Sequence, residues 1–172
     1  MTKKQITPVV GNAGTSRTFF EKIVVNAGIG RASQQPNFEA KLLEQIMRDV
    51  AHIAGQRPQV RRAKQSIAGF KVREGQVVGV RVTLRGNRMV DFFERLRTIV
   101  LPRVRDFSGI AEDAVDEHGA LNLGFKDQLV FPEINPEEST FAFSVGANLV
   151  PKGRDRAKAI ATYRAMGIPF KK

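Results

Sequence analysis

The sequence contains no cysteine, no tryptophan and only two histidines among its 172 residues. Without cysteine there can be no disulfide framework, no thiol nucleophile and no Cys-ligated metal. His52 and His118 are too few for a histidine-rich zinc or iron centre. No apolar run approaches the roughly 18 residues of a transmembrane helix, and no secretory signal opens the chain. These absences predict a soluble cytoplasmic protein with no cofactor and no membrane partner.

Acidic residues are also few, and their distribution is uneven. The chain has 28 Lys and Arg against 17 Asp and Glu, a net charge of +11. Residues 57–105 carry 13 basic side chains against three acids, and residues 111–138 carry eight acids against one lysine. Residues 151–172 are basic again. Arginine predominates, and its planar fork suits phosphate contacts. We expect a nucleic acid on the basic part and a different partner on the acidic part.

Hydrophobic periodicity predicts an α+β fold. Period-two alternation indicates strands at 20–29, 78–85 and 141–149, and we expect shorter strands at 64–73, 121–125 and 128–131. Helical periodicity with capping signals indicates helices at 37–54, 87–102 and 155–166. The alternation predicts one two-layer domain over 19–172, with a mainly antiparallel sheet, helices on one face and the other face open. Residues 1–18 are rich in turn formers, and we expect a flexible arm there.

Polar side chains alternate along the predicted open face of the sheet. An amide, a hydroxyl and guanidinium groups on a rigid support suit an approaching RNA backbone. Glycines where the first strand ends permit an especially close approach. An ordinary solvated sheet face is the alternative. The candidate residues are Lys22, Asn26, Gly28, Gly30, Arg81, Thr83 and Arg85.

Three other segments invite a chemical interpretation. Residues 28–33 resemble a dinucleotide loop only weakly, because Ser33 replaces the third glycine and Pro36 delays the helix. The acidic run at 112–119 lacks the ligand spacing of a calcium loop and has no positioned nucleophile. The basic segment 64–75 is predicted to enter a hairpin tip and to project cations toward phosphate. Taken alone, the segment could also be a mobile surface loop, which is the commoner case.

Several motifs occur in a fixed order from about residue 20 to the end of the chain. They are EKIVVN at 21–26, GQRP at 55–58, SIAGFK at 66–71, VTLRG at 82–86, RM at 88–89, FFERL at 92–96, PRVRDF at 102–107, FPEI at 131–134 and PFKK at 169–172. Together they resemble the family of bacterial large-subunit ribosomal protein number five, which binds 5S ribosomal RNA. The resemblance implies a structural role in the central protuberance of the large subunit rather than an enzyme.

The resemblance also implies specific contacts. It assigns 5S RNA binding to the sheet face, with contacts to 23S rRNA and to neighbouring large-subunit proteins. The 106–125 excursion would reach a basic small-subunit protein across the intersubunit bridge. The RNA-binding positions are Asn26, Gly28, Gly30, Gln56, Thr83, Arg85 and Arg88. The hairpin positions expected near tRNA in the peptidyl site are Ser66, Gly69, Lys71 and Arg73.

The sequence departs from the family pattern in two places. Two alternative functions also stay open at this point. The family usually begins with an amphipathic helix, which residues 1–18 do not predict. Its late strand is commonly Thr-rich, whereas residues 143–148 read FSVGAN, so the sequence does not establish an RNA contact there. The charge alone would also suit a general RNA or DNA chaperone. A nucleotide-processing enzyme would depend on residues 28–33 and the acidic run.

Overall fold

One five-stranded sheet organises the chain, which we describe from a computed structural model covering residues 13–30, 38, 42–70, 72–105, 107–139 and 141–171. Its strands are β1 (Phe20–Gly28), β2 (Gln59–Arg62), β3 (Val77–Leu84), β4 (Leu121–Phe125) and β5 (Val145–Pro151). Their spatial order is β2-β3-β1-β5-β4, and every neighbouring pair is antiparallel. The predicted antiparallel sheet is therefore confirmed.

In the described part of the chain, five helices accompany the sheet. They are α1 (Ala13–Phe19), α2 (Leu43–Ala54), α3 (Gly86–Arg95), α4 (Leu101–Arg103) and α5 (Arg156–Ala165). A π-helical turn at Leu96–Val100 joins α3 to α4, so helical structure continues from 86 to 103 as the sequence predicts. Asp155 caps α5 by accepting a hydrogen bond from the Lys158 amide at 3.1 Å, and this bond lowers the pKa of its carboxyl group.

The hydrophobic core lies between one face of the sheet and the helices. Ile23, Val25 and Ala27 of β1 are buried, whereas the side chains that alternate with them are half-buried or exposed. The core strands meet the apolar stripes of α2, α3 and α5, including Ile46, Phe93 and Tyr163. This arrangement confirms the two-layer α+β prediction, with one face of the sheet left uncovered by the core.

The N-terminal prediction needs a correction. Residues 13–18, assigned to a flexible arm, belong to α1, which packs against the core through the buried Ser16 and the half-buried Phe19. The aromatic ring of Phe19 meets those of Phe20 and Tyr163 edge to face. The contact with Tyr163 joins residues that lie far apart in sequence, so turn-forming composition alone could not predict it. The rest of the predicted arm, 1–12, lies outside the described residues.

One predicted strand, 128–131, is wrong, and the strand predicted at 141–149 begins only at Val145. Residues 128–130 form a 3-10 turn, and residues 141–144 lie outside any strand. The side chain of Gln128 is buried, accepts from the Phe143 amide at 2.9 Å and donates to the Phe141 carbonyl at 2.9 Å. The Gln128 side chain thus forms the hydrogen bonds that a neighbouring strand would otherwise form with the backbones of Phe141 and Phe143. It does so because a buried side-chain amide needs hydrogen-bond partners.

The other boundary differences are smaller. The described residues between 64 and 73 do not belong to a strand: β2 ends at Arg62, and an isolated bridge joins Ile67 to Val72. The helix predicted from residue 37 is described from Leu43, and residue 37 itself lies outside the described residues. Within the described residues, no helix is long and apolar enough to cross a membrane, and no cluster of acidic or histidine side chains could hold a metal.

Candidate nucleic-acid interface

The uncovered sheet face carries polar side chains in rows that cross the strands. Asn26 of β1 lies opposite Arg81 of β3 on one side and Gly146 of β5 on the other. In the next row, Thr83 of β3 lies opposite Val24. Asn26, Arg81 and Thr83 are all half-buried, with their strands fixed by the core beneath them. The sheet therefore brings together the predicted residues of β1 and β3.

Three asparagines form a hydrogen-bonded ladder across this face. Asn26 donates through Nδ2 to Oδ1 of Asn148 on β5 at 3.1 Å. Asn148 in turn donates through Nδ2 to Oδ1 of Asn122 on β4. Asn122 ends the ladder by donating to the backbone carbonyl of Ala120 at 3.5 Å. We call these three residues the amide ladder.

The sequence pattern left an RNA contact of the strand that contains Asn148 open, and it did not assign Asn122 to this surface. The signal for Asn148 was present, since it alternates in phase with Gly146 on the outward side of the late strand. Asn122 occupies the same phase of β4, directly opposite Asn148. What the sequence could not provide was the strand order, which places β5 and β4 beside β1.

Gly146 determines where the Asn26 side chain lies. A β-carbon built on Gly146 would overlap Oδ1 of Asn26, so the bare backbone of β5 leaves room for the Asn26 amide. Gly28 differs, because a β-carbon there would meet nothing within 4 Å. Gly30 is half-buried beyond the end of the strand. Of the two glycines predicted to allow close approach, Gly28 is the one exposed on β1.

Basic groups flank the open face where β1 begins and β3 ends. Arg85 lies 3.6 Å from the carboxylate of Glu21, and Lys22 lies 3.4 Å from the same carboxylate. Arg85 also donates to the Glu21 backbone carbonyl at 3.3 Å. Lys22, followed by Arg85, lowers the pKa of the exposed Glu21 carboxyl. The carboxylate thus neutralises part of the positive charge that Lys22 and Arg85 bring to this edge of the sheet.

Gln56 and Arg88 form a second polar pair at this end of the sheet. Arg88 donates through Nη1 to Oε1 of Gln56 at 3.2 Å. Gln56 directly follows the αL residue Gly55, which ends α2. β2 then begins at Gln59, opposite Arg81, so Gln56 lies toward the Thr83 end of the β2–β3 pair. The two residues, predicted from separate motifs, are therefore in contact.

The predicted tRNA-proximal residues lie on a separate surface. The β2–β3 connection is a compact hairpin tip, closed by a hydrogen bond from the Glu74 amide to Oγ of Ser66 at 2.9 Å. Ser66, Gly69 and Arg73 are exposed, and Lys71 lies outside the described residues. The tip extends from the Val77 end of β3, about 20 Å along the strand from Thr83. The hairpin is therefore not part of the open face.

The segment 107–125 contains the acidic run at 112–119, and we call it the acidic excursion. It contacts the C-terminal part of the chain. Ile110 forms a parallel bridge with Phe170, and Glu112 is paired with Arg164. Arg156 donates to the backbone carbonyls of Glu112 and Val115. Asp113, Asp116 and Glu117 remain exposed. The arginines of the C-terminal part thus neutralise some of the negative charge of this segment, and the carboxylates of Asp113, Asp116 and Glu117 are left facing solvent.

Comparison with known families accounts for nearly the whole described chain. A family model described as ribosomal protein L5 matches residues 19–73, and a second model, for the C-terminus of the same ribosomal family, matches residues 77–170. The two matches divide the chain at the β2–β3 hairpin. Strands from both matched segments nevertheless belong to the same sheet, because β3 pairs with both β1 and β2.

Individual relatives match over most of their length. A large ribosomal subunit protein uL5 from Rubrobacter xylanophilus is 46% identical over 151 residues, which cover 88% of this chain and 82% of the relative. The uL5 protein of Fusobacterium nucleatum is 44% identical over 152 residues, covering 88% and 81%. That of Solibacter usitatus is 44% identical over 151 residues, covering 88% and 82%.

Proposed function

The chain belongs to the ribosomal protein L5 family, and we propose that its open sheet face binds 5S rRNA and helps anchor it in the central protuberance. Membership makes it a structural component of the large subunit of the cytoplasmic ribosome and not an enzyme. The observation that carries the proposal is the placement of Asn26 and Thr83 on adjacent strands of a rigid polar face.

The chemistry of this face suits folded RNA. The minor groove of an A-form helix is wide and shallow, and it displays 2′-hydroxyl groups that both donate and accept hydrogen bonds. Amides and hydroxyls can meet both requirements, which is what Asn26, Thr83 and Gln56 offer. Arg85 and Arg88 add guanidinium groups, which bind phosphate oxygens in fixed geometry. The amide and hydroxyl side chains would thus recognise the 2′-hydroxyl groups, and the guanidinium groups would bind the phosphates.

Binding measurements on two variants test this assignment. Asn26→Ala and Thr83→Val should each weaken 5S RNA binding by about five- to fiftyfold, because each removes a hydrogen bond at a desolvated contact. Matched controls are Asn135→Ala and Thr162→Val. Asn135 lies in an exposed turn, and Thr162 bonds back to the Lys158 carbonyl on α5. Equal effects of site and control variants would refute the assignment.

We infer that the exposed hairpin tip contacts tRNA in the peptidyl site. Its support is family membership, together with the exposure of Ser66, Gly69 and Arg73 and their distance from the open face. In ribosomes carrying Arg73→Ala, peptidyl-site tRNA should dissociate faster while 5S RNA remains bound. Unchanged tRNA dissociation would remove the hairpin from this role.

We infer that the acidic excursion contacts a basic small-subunit protein across the intersubunit bridge. The exposed carboxylates of Asp113 and Glu117 provide charge complementarity, which acts mainly on association rate and specificity. Asp113→Asn with Glu117→Gln should weaken subunit association at low salt and leave it unaltered at high salt. No effect at low salt would contradict the inference.

We also propose contacts with 23S rRNA and neighbouring large-subunit proteins, and the support for them is the same family membership. Copurification with intact large subunits tests them together. A general RNA or DNA chaperone is the second candidate, because the basic stretch 57–105 would attract any polyanion. Comparable affinity for unrelated single and double strands would favour it.

A further inference from the structure

The amide ladder has a defined direction. A backbone carbonyl can only accept a hydrogen bond, so the Ala120 carbonyl requires Asn122 to turn its NH2 group toward it. In the same arrangement Asn122 accepts through Oδ1 from Asn148, and Asn148 accepts through its own Oδ1 from Asn26. The three amides therefore share one donor-to-acceptor direction, which ends at the Ala120 carbonyl two strands away from Asn26.

The direction fixes which atom Asn26 offers to a ligand. Its Nδ2 is directed to Asn148, so Oδ1 lies on the opposite side of the amide, above Gly146. An unrestrained asparagine could flip by half a turn and exchange donor for acceptor with little change in shape. The ladder favours one of these two states before any ligand arrives.

We propose that Asn148 and Asn122 are positioning residues, which hold the Asn26 amide with its oxygen presented as an acceptor for an RNA donor such as a ribose 2′-hydroxyl. This inference rests on the proposed binding of RNA to the open face. Both residues act through Asn26, since ordering a side chain before binding reduces the entropy that binding must otherwise remove. The late strand therefore contributes to RNA binding although it lacks the family's usual threonines.

A purely structural role for the ladder is the competing explanation. Hydrogen bonds between side chains at the surface add little to the stability of a fold, because water replaces them readily. Asn122 is exposed and Asn148 half-buried, and neither belongs to the core. A positioning role predicts that their replacement changes RNA binding more than folding, and that the change depends on Asn26.

The first test concerns the free protein and does not involve RNA. Nuclear magnetic resonance of the side-chain NH2 groups should show slowed hydrogen exchange at Asn26 in the wild type. Asn148→Ala should accelerate that exchange and shift the Asn26 NH2 signals, while Asn135→Ala should leave them unchanged. If Asn148→Ala leaves exchange at Asn26 unaltered, the ladder does not hold Asn26 and the proposal fails.

The second test is a double-mutant cycle on affinity for purified 5S RNA. Asn148→Ala and Asn122→Ala should each weaken binding by about three- to tenfold, in proportion to the lost preorganisation. In a background carrying Asn26→Ala, the same replacements should have almost no effect, because the group that they position is gone. Asn148→Ser supplies a second variant, with a short hydroxyl that still accepts from Asn26, and should recover part of the affinity.

The outcomes separate this proposal from the function on which it depends. Full additivity in the cycle would mean that Asn148 acts independently of Asn26, and it would overturn the positioning role while leaving RNA binding intact. Failure of the wild type to prefer 5S RNA would instead overturn the proposed function, and the exchange of the Asn26 NH2 group would still report whether the ladder exists.

Discussion

Oδ1 of Asn26 lies over Gly146 on the neighbouring strand, in the space that a β-carbon would occupy. The two residues belong to opposite ends of the sequence and are paired only because β1 lies next to β5. The position of the Asn26 side chain on β1 thus depends on the absence of a side chain at Gly146 on β5. This relationship links the amide ladder to the shape of the open face.

Replacing Gly146 with alanine should displace Asn26 and weaken RNA binding. The added methyl group meets the far end of a flexible side chain, which can rotate away, so the free energy of unfolding should change by less than about 1 kcal/mol. Affinity for 5S RNA should fall to about the level of Asn26→Ala. Gly153→Ala is the control, because a β-carbon there meets nothing within 4 Å. Wild-type affinity for Gly146→Ala would contradict the prediction.

Replacing Gly28 with alanine tests how closely RNA approaches the sheet. A β-carbon at this exposed position on β1 meets nothing within 4 Å, so the melting temperature should be unchanged or slightly higher. If the RNA backbone packs against the strand, the methyl group should lower 5S affinity by about three- to tenfold. A calorimetric melt and a binding titration on one preparation measure both. Unaltered affinity would place the RNA farther from Gly28.

Charge-changing variants at Arg85 and Glu21 should have opposite effects. Arg85→Ala should weaken 5S binding and reduce the slope of log affinity against log salt by about one, because one phosphate contact is lost. Glu21→Gln should strengthen binding at low salt, since the carboxylate no longer competes with phosphate for Arg85 and Lys22. Lys158→Ala on α5 serves as the control. A loss of affinity in Glu21→Gln would contradict the competition.

Tyr163, the single tyrosine of the chain, should make the free energy of unfolding vary with pH in the alkaline range. Its buried hydroxyl lies 2.9 Å from the Gly119 carbonyl and 3.2 Å from that of Leu149, and burial raises its pKa above the usual value. Tyr163→Phe should lower the free energy of unfolding by about 1–2 kcal/mol at pH 7.

The sign of the pH effect follows from the raised pKa. The unfolded phenol ionises near its ordinary pKa of about 10, whereas the folded one stays protonated, so the contribution is complete below pH 10 and is lost above it. The difference between wild type and Tyr163→Phe should therefore shrink between about pH 10 and pH 11. Urea unfolding across this range measures it, and a constant difference would contradict the assignment.

The sequence predicted the elements whose pattern is local and missed those that depend on distant partners. The alternation in β1, β3 and β4 and the capped α5 were confirmed, because side-chain period and capping chemistry are readable in a short window. Residues 141–144, which read FAFS, alternate just as clearly. The strand nevertheless begins only at Val145, because the buried Gln128 side chain hydrogen-bonds to the backbones of Phe141 and Phe143.

The candidate surface follows the same rule. Asn26 and Thr83 were predictable because each lies on the polar phase of a clear strand. Asn122 and Asn148 join them through strand order and register, which no local pattern contains. The helix α1 was missed for a similar reason, since Phe19 is stabilised by contacts with Tyr163 near the other end of the chain.

The most direct test of the account compares the affinity of the wild-type chain for 5S RNA with its affinity for an unrelated folded RNA of equal length. Both titrations use the same salt concentration near the physiological value, because charge alone gives binding that varies steeply with salt. If the open face binds 5S RNA specifically, 5S RNA should bind at least about a hundredfold more tightly. Equal affinity for the two RNAs would contradict it and would leave a general polyanion-binding protein.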